Sequence, residues 1–479
     1  MFNLTKLFDR NNPVSNTLSK AQIAKLLKTT PGALEAFEAS YQSCILAEPD
    51  QTGNLFGTSA KQAVEIREAA YTEATQHAQI LETRIIAELL DQTDYMDWDG
   101  QSFAQGRLDS ERDDRTPVTI EEVMAVPEEI RPQLTGHLMK KDVPGNTAAT
   151  LLWSYQRYQN AATKDQKKEA YQMFRWGLDS LDLDPLTYEI LGLNKNNMSQ
   201  WLPALCNAVK DQDFFKVPKT RVIKVPLSLL QLSRLDYSEL TPGTMEIVDR
   251  FAYRAFNLDE NQDYFIKTGI FSSKFDFRNA KVTGTKEVHE LGEYLLFISN
   301  QAVMMASPLM SHRSYGAATT NEWVVREFIH DPENNPTIYK GLPLRTEYRL
   351  FIDADTCAVI GENPYWDPAI MKARFGDAPD ANDPHNVHDF MTYYAAEETL
   401  MAKYNENIQE LKARLETMIP AMRDAGLTGQ WSVDIMRSGK DFYIIDMALA
   451  ENSAYYDCVP QALRSPTAEN WLPQIPPAE

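Results

Sequence analysis

Apolar positions in the chain fall into two textures. Up to about residue 215 they recur at helical spacing, and from about 218 they alternate or run together as in strands. Residues 19–90 read as helix. LSKAQIAKLLKTTPGALEAFEASYQ carries apolar residues at helical spacing, broken by Pro31-Gly32, and SAKQAVEIREAAYTEATQHAQILETRIIAELL is a long run of good helix formers. Residues 91–145 lose the periodicity. They are acidic and punctuated by Pro117, Pro127, Pro132 and Pro144, the pattern of a solvated linker. Helical spacing returns over 146–212, where Trp153, Tyr155, Tyr158, Tyr171, Phe174 and Trp176 read as core aromatics.

Strands are predicted in RVIKVPLSLLQL, YFIKTG, NEWVVREFI, TEYRLFID and CAVIGEN, with a helix in GTMEIVDRFAYRAF. Tyr404, Ile408, Leu411, Leu415, Met418 and Met422 recur at four and three, so 401–424 is a helix, with Gly426 as its stop signal. QWSVDIMRSGKDFYIIDMALA reads as a closing hairpin turned at Arg437–Lys440. The expected fold class is α+β, with a mainly helical N-terminal half. Its parts are a helical domain over 1–90, an acidic linker over 91–145, a helical region over 146–215 and a strand-rich domain over 216–479. No internal repeat is evident.

Composition narrows the function. The chain has 479 residues, 43% of them hydrophobic and 24% charged, enough for two or three domains with real cores. Its net charge is −21, and residues 88–129 hold 13 acids against 3 arginines, about half of that total. So acidic a surface repels phosphodiester backbones and anionic lipid, which argues against nucleic acid and membranes as partners of the whole protein. The first helix pair has the outline of a helix-turn-helix, but residues 1–50 balance five bases with five acids, so the basic reading face is missing and a packing or partner-binding bundle is expected. The opening MFNLTKLFDRNN lacks an apolar core, so no secretory signal is expected. YLLFISNQAVMMASPLM is too polar for a membrane span. Four well-separated cysteines, with no Cys-x-x-Cys, suit a reducing cytoplasm.

Candidate chemistry begins at YFIKTGIFSSKFDFRNA, residues 264–280. A strand delivers Lys267 into a loop of Gly269, Ser272, Ser273 and Lys274. Such a loop can cradle phosphate oxygens, with lysine supplying point charge; it can equally be a solvent-exposed turn whose lysines snorkel. In LPLRTEYRLFID, strand alternation puts Glu347, Arg349, Phe351 and Asp353 on one face and Tyr348, Leu350 and Ile352 on the other. Arg349 is then a clamp for a phosphoryl or carboxylate oxygen, or half of a structural Glu–Arg pair. In the last hairpin Trp431, Val433 and Ile435 face the core, and Ser432 and Asp434 face away. Asp446 ends an apolar run, where a carboxylate needs a partner or a cation. A three-residue loop, Ser438-Gly439-Lys440, would set Asp446 opposite Ser432 and diagonal to Asp434, on the order of 7 Å away, suited to shared Mg²⁺. An even loop without a bulge would put the two aspartates on opposite faces.

These pieces, in this order, resemble the ATP-grasp superfamily. They are most similar to the cell-division-cycle family that helps assemble a translation initiation complex, and to related bacterial and phage ATP-grasp proteins. The resemblance covers about 220–460. It implies that Lys267 contacts ATP phosphates and that the Ser272–Ser273–Lys274 loop closes over them. It further implies a hinge of Glu327, Phe328 and Ile329 whose backbone reads adenine, Arg349 on the γ-phosphate or the acyl-phosphate oxygens with Glu347 orienting it, and Mg²⁺ on Asp434 and Asp446. The implied activity is Mg-ATP-dependent ligation of a small-molecule, peptide or protein carboxylate to an amine through an acyl phosphate. The alternative is a non-catalytic ATP-binding assembly factor whose helical half grips a protein partner. One position departs from the family pattern: Ala448 stands where an asparagine is usual, with Glu451 or Asn452 as possible substitutes. The chain has no P-loop, no kinase signature and no Lys-x-x-Gly of nucleotidyl ligases. DPHNVHD (383–389), read as a loop, offers His385 and His388 but not the three or four fixed ligands of a zinc site.

Overall fold

A computed structural model describes residues 76–119, 122–123, 162–163, 166, 188, 191–192, 194–235, 240–306, 320–376 and 382–465. The helix pair expected over 19–50 and most of the helical stretch over 146–187 lie outside the described residues. Those described form helices α1 (Gln76–Asp91), α2 (Met198–Val209), α3 (Leu227–Leu232), α4 (Pro242–Ala255), α5 (Gly284–His289), α6 (Leu291–Ala306), α7 (Pro368–Gly376) and α8 (Pro384–Asp424). The strands are β1 (Asp94–Trp98), β2 (Phe103–Arg107), β3 (Phe215–Lys216), β4 (Thr220–Lys224), β5 (Tyr264–Thr268), β6 (Lys281–Val282), β7 (Glu322–Glu327), β8 (Thr337–Ile338), β9 (Leu342–Pro343), β10 (Glu347–Asp353), β11 (Ala358–Pro364), β12 (Gln430–Ser438) and β13 (Asp441–Leu449). The fold is mixed helix and sheet, of the α+β class.

Two sheets organise the molecule. One has the order β2-β1-β4-β7-β5-β6 and the other β11-β10-β12-β13-β3; β8 and β9 form a separate hairpin. Alternation along each strand decides what lies where. Ile266, Trp323 and Val325 face a core shared with α1, α4 and α6. Tyr348, Leu350, Ile352, Val433 and Ile435 face a second core under α8, joined by α2 and by Val222 and Val324 of the first sheet. The α8 stripe from Tyr404 to Met422 that sequence periodicity singled out fills this core. What remains between the sheets is Lys267 and Arg326 on one side, and Glu347, Arg349, Asp434 and Asp446 on the other.

Three local expectations differ from the structure. LSLLQL is not strand; Pro226 ends β4's extension, and the leucines then form α3, with no β-branched residue among them. The DPHNVHD segment is not a loop but the start of α8, capped where the Asp383 side chain accepts from His385 N at 2.8 Å, with Pro384 in the first turn. Within the acidic stretch read as a linker, 94–107 is the hairpin β1–β2, paired to β4. Two of its aspartates are ion-paired, Asp94 with Arg107 at 2.8 Å and Asp97 with Arg221 at 3.2 Å. Trp98, buried with its indole donating to Val217 O at 3.2 Å, supplies the anchor. Among the described residues no helix is long and apolar enough to cross a membrane.

Candidate functional site

The site is a row of charged side chains running across the five-stranded sheet. On adjacent strands β10, β12 and β13, Arg349 lies opposite Asp434, and Asp434 opposite Asp446. The register is not the one expected. Ser438 pairs with Asp441, so the turn is the two residues Gly439-Lys440, and Ser432 faces Ala448. That even loop would separate the aspartates, but the register shifts after Asp434, with Ile435 opposite Ile444, so Ile445 is an extra residue. This bulge restores Asp446 to the face of Asp434 and sets it directly opposite rather than diagonal.

Every charge in the row is matched. Arg349 donates from Nε and Nη2 to the two oxygens of Asp434 at 2.7 and 2.6 Å, a bidentate fork. Lys267, 2% exposed, reaches across from β5 and donates to both oxygens of Asp446 at 3.0 Å. Asp446 is the open end of the row, its side chain 38% exposed. Lys267 is therefore no snorkelling surface lysine. Lys274 also turns inward, its Nζ donating to the Tyr365 hydroxyl and lying 4.4 Å from that ring's centre. Burial lowers the Lys274 pKa, while Glu347, Asp434 and Asp446 oppose that effect. Burial likewise lifts Glu347 to about 7, with Lys274 opposing and Asp434 reinforcing. Burial disfavours the charge on Arg349, but Asp434 outweighs it and the guanidinium is held above its ordinary value.

The loop that carries Lys274 is fixed to the other half of the molecule. After Ser272 and the buried Ser273, residues 274–279 form a 3₁₀ segment whose Phe277 N donates to Tyr339 O at 3.0 Å. Asp276 meets Lys340 at 2.6 Å. The residues expected to form a hinge are partly engaged within the protein. Phe328 N donates to Asp263 O at 3.0 Å, Glu327 Oε1 accepts from Lys219 N at 2.9 Å, and Ile329 O accepts from Arg345 Nη2. Beside them Lys281 Nζ sits 4.5 Å from the centre of the Phe328 ring. At the departure from the family pattern, Ala448 offers no ligand, and the Asn452 amide oxygen is engaged by Asn196 Nδ2 at 2.9 Å.

Sequence reasoning missed several members of the site. Tyr365 and Tyr455 flank the Arg349 guanidinium at 5.2 and 5.7 Å, and Tyr455 is tied to Tyr365 O at 2.9 Å. Glu322 lies buried against the first turn of α2, accepting from Ser199 N at 3.3 Å, and burial raises its pKa to about 7. The signal was present in EWVVRE: Glu322 and Arg326 share the face of Val324, so two charges are embedded in one side of an otherwise apolar strand. A raised carboxyl pKa makes the native state bind more protons than the unfolded chain between about 4.5 and about 7, so this group's contribution to stability is full below 4.5 and is lost as pH rises through 7. Melting temperatures measured from pH 5 to 8 should therefore fall for the wild type and fall less for Glu322→Gln. Glu347 titrates in the same range and leaves a residual slope. Identical slopes would mean that Glu322 is not the buried acid described.

The fold and site together define an α+β protein with paired charges where its two sheets meet. No protein-family model matches the chain, and no curated protein matches it. Among solved structures the chain is similar to C-terminally truncated Cdc123 from Schizosaccharomyces pombe, at 13% identity and a TM-score of 0.29, over 56% of this chain and 87% of that one. It is similar to Cdc123 from the same organism at 14% identity, with the same TM-score and coverage. A superposition that loose carries no statement about this chain's fold or function.

Proposed function

We propose that the cleft binds ATP together with Mg²⁺ and that the protein is an ATP-grasp-type carboxylate–amine ligase. The observation that carries this reading is the Arg349–Asp434–Asp446 row closed by Lys267 from the facing sheet. Three cations, Lys267, Lys274 and Arg349, converge there with two opposed carboxylates, the donor set that a polyphosphate and a hard divalent cation need. The residues fit magnesium held jointly with phosphate oxygens. Among the described residues no group of three or more metal-capable side chains occurs, so the protein alone is not a cage. Asp434 and Asp446 would hold the ion, which supplies charge neutralisation on the transferring phosphoryl group.

The chemistry assigned to the chain's own residues is electrostatic. A carboxylate oxygen of the acceptor bonds to the γ-phosphorus as the bond to the β,γ-bridging oxygen breaks. An amine nitrogen then bonds to the acyl carbon, phosphate departs, and the nitrogen loses a proton. Lys267 and Arg349 stabilise the charge that moves onto phosphate oxygens, and Tyr365 and Tyr455 hold the Arg349 plane in place. A second reading, a non-catalytic ATP-binding assembly factor for a protein partner, draws on Ala448 and on the engagement of Asn452 by Asn196, which take two of the three candidate positions for a further ligand out of use.

Calorimetry with ATP, with and without Mg²⁺, tests the site. Lys267→Ala removes a charged donor to phosphate, worth about 1.5–3 kcal/mol, or roughly ten- to hundredfold in affinity. Equal ATP affinity in wild type and variant would place the nucleotide elsewhere.

A further inference from the structure

The bulge that aligns the two aspartates needs its own support. In β13 the inward residues are Phe442 and Ile444, then Met447 and Leu449, all in the core beneath α8. The two pairs are one residue out of phase for strict alternation, so the apolar pattern forces an extra residue between them. That residue is Ile445, and a bulge leaves a ladder carbonyl without its usual partner. Away from water, an unpaired carbonyl costs on the order of a lost hydrogen bond.

Arg326 meets that need. It projects from β7, opposite Thr220 on β4 and Phe265 on β5, on the same face as Lys267. The residue is 3% exposed, its Nε donates to Thr220 Oγ1 at 3.1 Å, and its Nη1 donates to Ile445 O. Neighbouring strands of one sheet thus grip consecutive residues of the other: Arg326 holds the Ile445 carbonyl and Lys267 the Asp446 carboxylate. Its Nη2 has no hydrogen-bond partner among the described residues. Burial presses the Arg326 pKa down and Asp446 opposes this, so the guanidinium and that carboxylate share one field.

We propose that Arg326 is a positioning residue: by capping the Ile445 carbonyl it fixes the bulge that keeps Asp446 opposite Asp434. Its effect on ligand binding rests on the proposed Mg-ATP reading of the cleft; its effect on backbone register does not. Two measurements on full-length protein separate these. The first is ATP affinity with Mg²⁺ and with EDTA for wild type, Arg326→Met and Arg326→Lys. Arg326→Met should keep metal-free ATP affinity within about twofold while losing most of the Mg²⁺-dependent gain, tenfold or more. Arg326→Lys, which can still donate to Ile445 O, should recover part of that gain. An unchanged gain in Arg326→Met, or an equal loss with and without metal, overturns the assignment.

The second measurement is a crystal structure of Arg326→Met, or of Arg326→Lys should the methionine variant not fold. The proposal expects the Ile445 carbonyl to turn and the Lys267–Asp446 contact to open beyond hydrogen-bond range in Arg326→Met, and expects a displaced but bonded carbonyl in Arg326→Lys. An unchanged bulge with Lys267 still on both Asp446 oxygens in Arg326→Met, or a carbonyl with no contact to the lysine in Arg326→Lys, overturns it. Wild-type protein that binds no ATP would remove the nucleotide reading, and the crystallographic comparison would still decide the role of Arg326.

Discussion

Asp434→Asn is expected to destabilise the protein by about 3–5 kcal/mol and to abolish Mg²⁺-dependent ATP binding. The size follows from what the substitution leaves behind. Arg349 and Asp434 form a fork whose side chains are 12% and 9% exposed. An amide in place of the carboxylate leaves a guanidinium between two tyrosine rings without its hydrogen-bonded counter-charge, and breaking one side of a buried pair costs far more than the pair is worth. Urea unfolding gives the stability change. The double variant Arg349→Met/Asp434→Leu separates charge from packing: it should regain most of the stability and none of the Mg²⁺-dependent binding. A single Asp434→Asn variant within 1 kcal/mol of wild type would show that solvent reaches the pair freely, and the buried-row description would be wrong.

Turnover, if the ligase reading holds, should yield ADP and phosphate and not AMP and pyrophosphate. Lys267 lies on Asp446 and Arg349 on Asp434, and Lys274 shares the Tyr365 ring with Arg349. Positive charge gathered at one end of a triphosphate stabilises transfer of the terminal phosphoryl group, which releases ADP. Attack at the α-phosphorus would need its cations and nucleophile one phosphate unit further along. Chromatography of labelled ATP, after incubation with amino acids and peptides carrying free carboxylates and amines, separates the products. AMP as the main product would exclude the acyl-phosphate route. Tight ATP binding with no turnover would favour the assembly-factor reading, and Ala448→Asn would then be the first reversion to examine.

The parts of the site that were legible in the sequence are those that depend on alternation alone. Glu347, Arg349, Tyr348 and Leu350 could be assigned to faces because β10 is regular from Glu347 to Phe351. The α8 stripe was legible because helical spacing is unbroken there. What escaped was whatever depends on a partner far along the chain. The register of the last hairpin turns on one extra residue, and although Ile444 and Met447 are one step out of phase, only a strand from another sheet brings the donor that makes the bulge tolerable. Tyr455 and Tyr365 lie 90 positions apart, and nothing local in either segment points to Arg349. The hairpin within the acidic stretch was hidden because its aspartates look solvated until Arg107 and Arg221 are brought beside them.

Helix α8 has a mechanical consequence. Its 41 residues make a rod about 60 Å long. Tyr393 and Leu400 seat one end of it against the β8–β9 hairpin and α7, while Tyr404 onwards seats the other end beneath the Arg349–Asp434 strands. No proline or glycine lies between Leu400 and Tyr404, so a sharp kink there would break main-chain hydrogen bonds. The helix therefore ties the hairpin and α7 to the strands that carry Arg349 and Asp434. Two ion pairs, Lys267–Asp446 and Asp276–Lys340, run from β5 and the loop after it to the elements that α8 joins. That second contact lies at the rim, where added salt weakens it most. Added salt should thus loosen the Asp276–Lys340 contact more than the contact made by the buried Lys267.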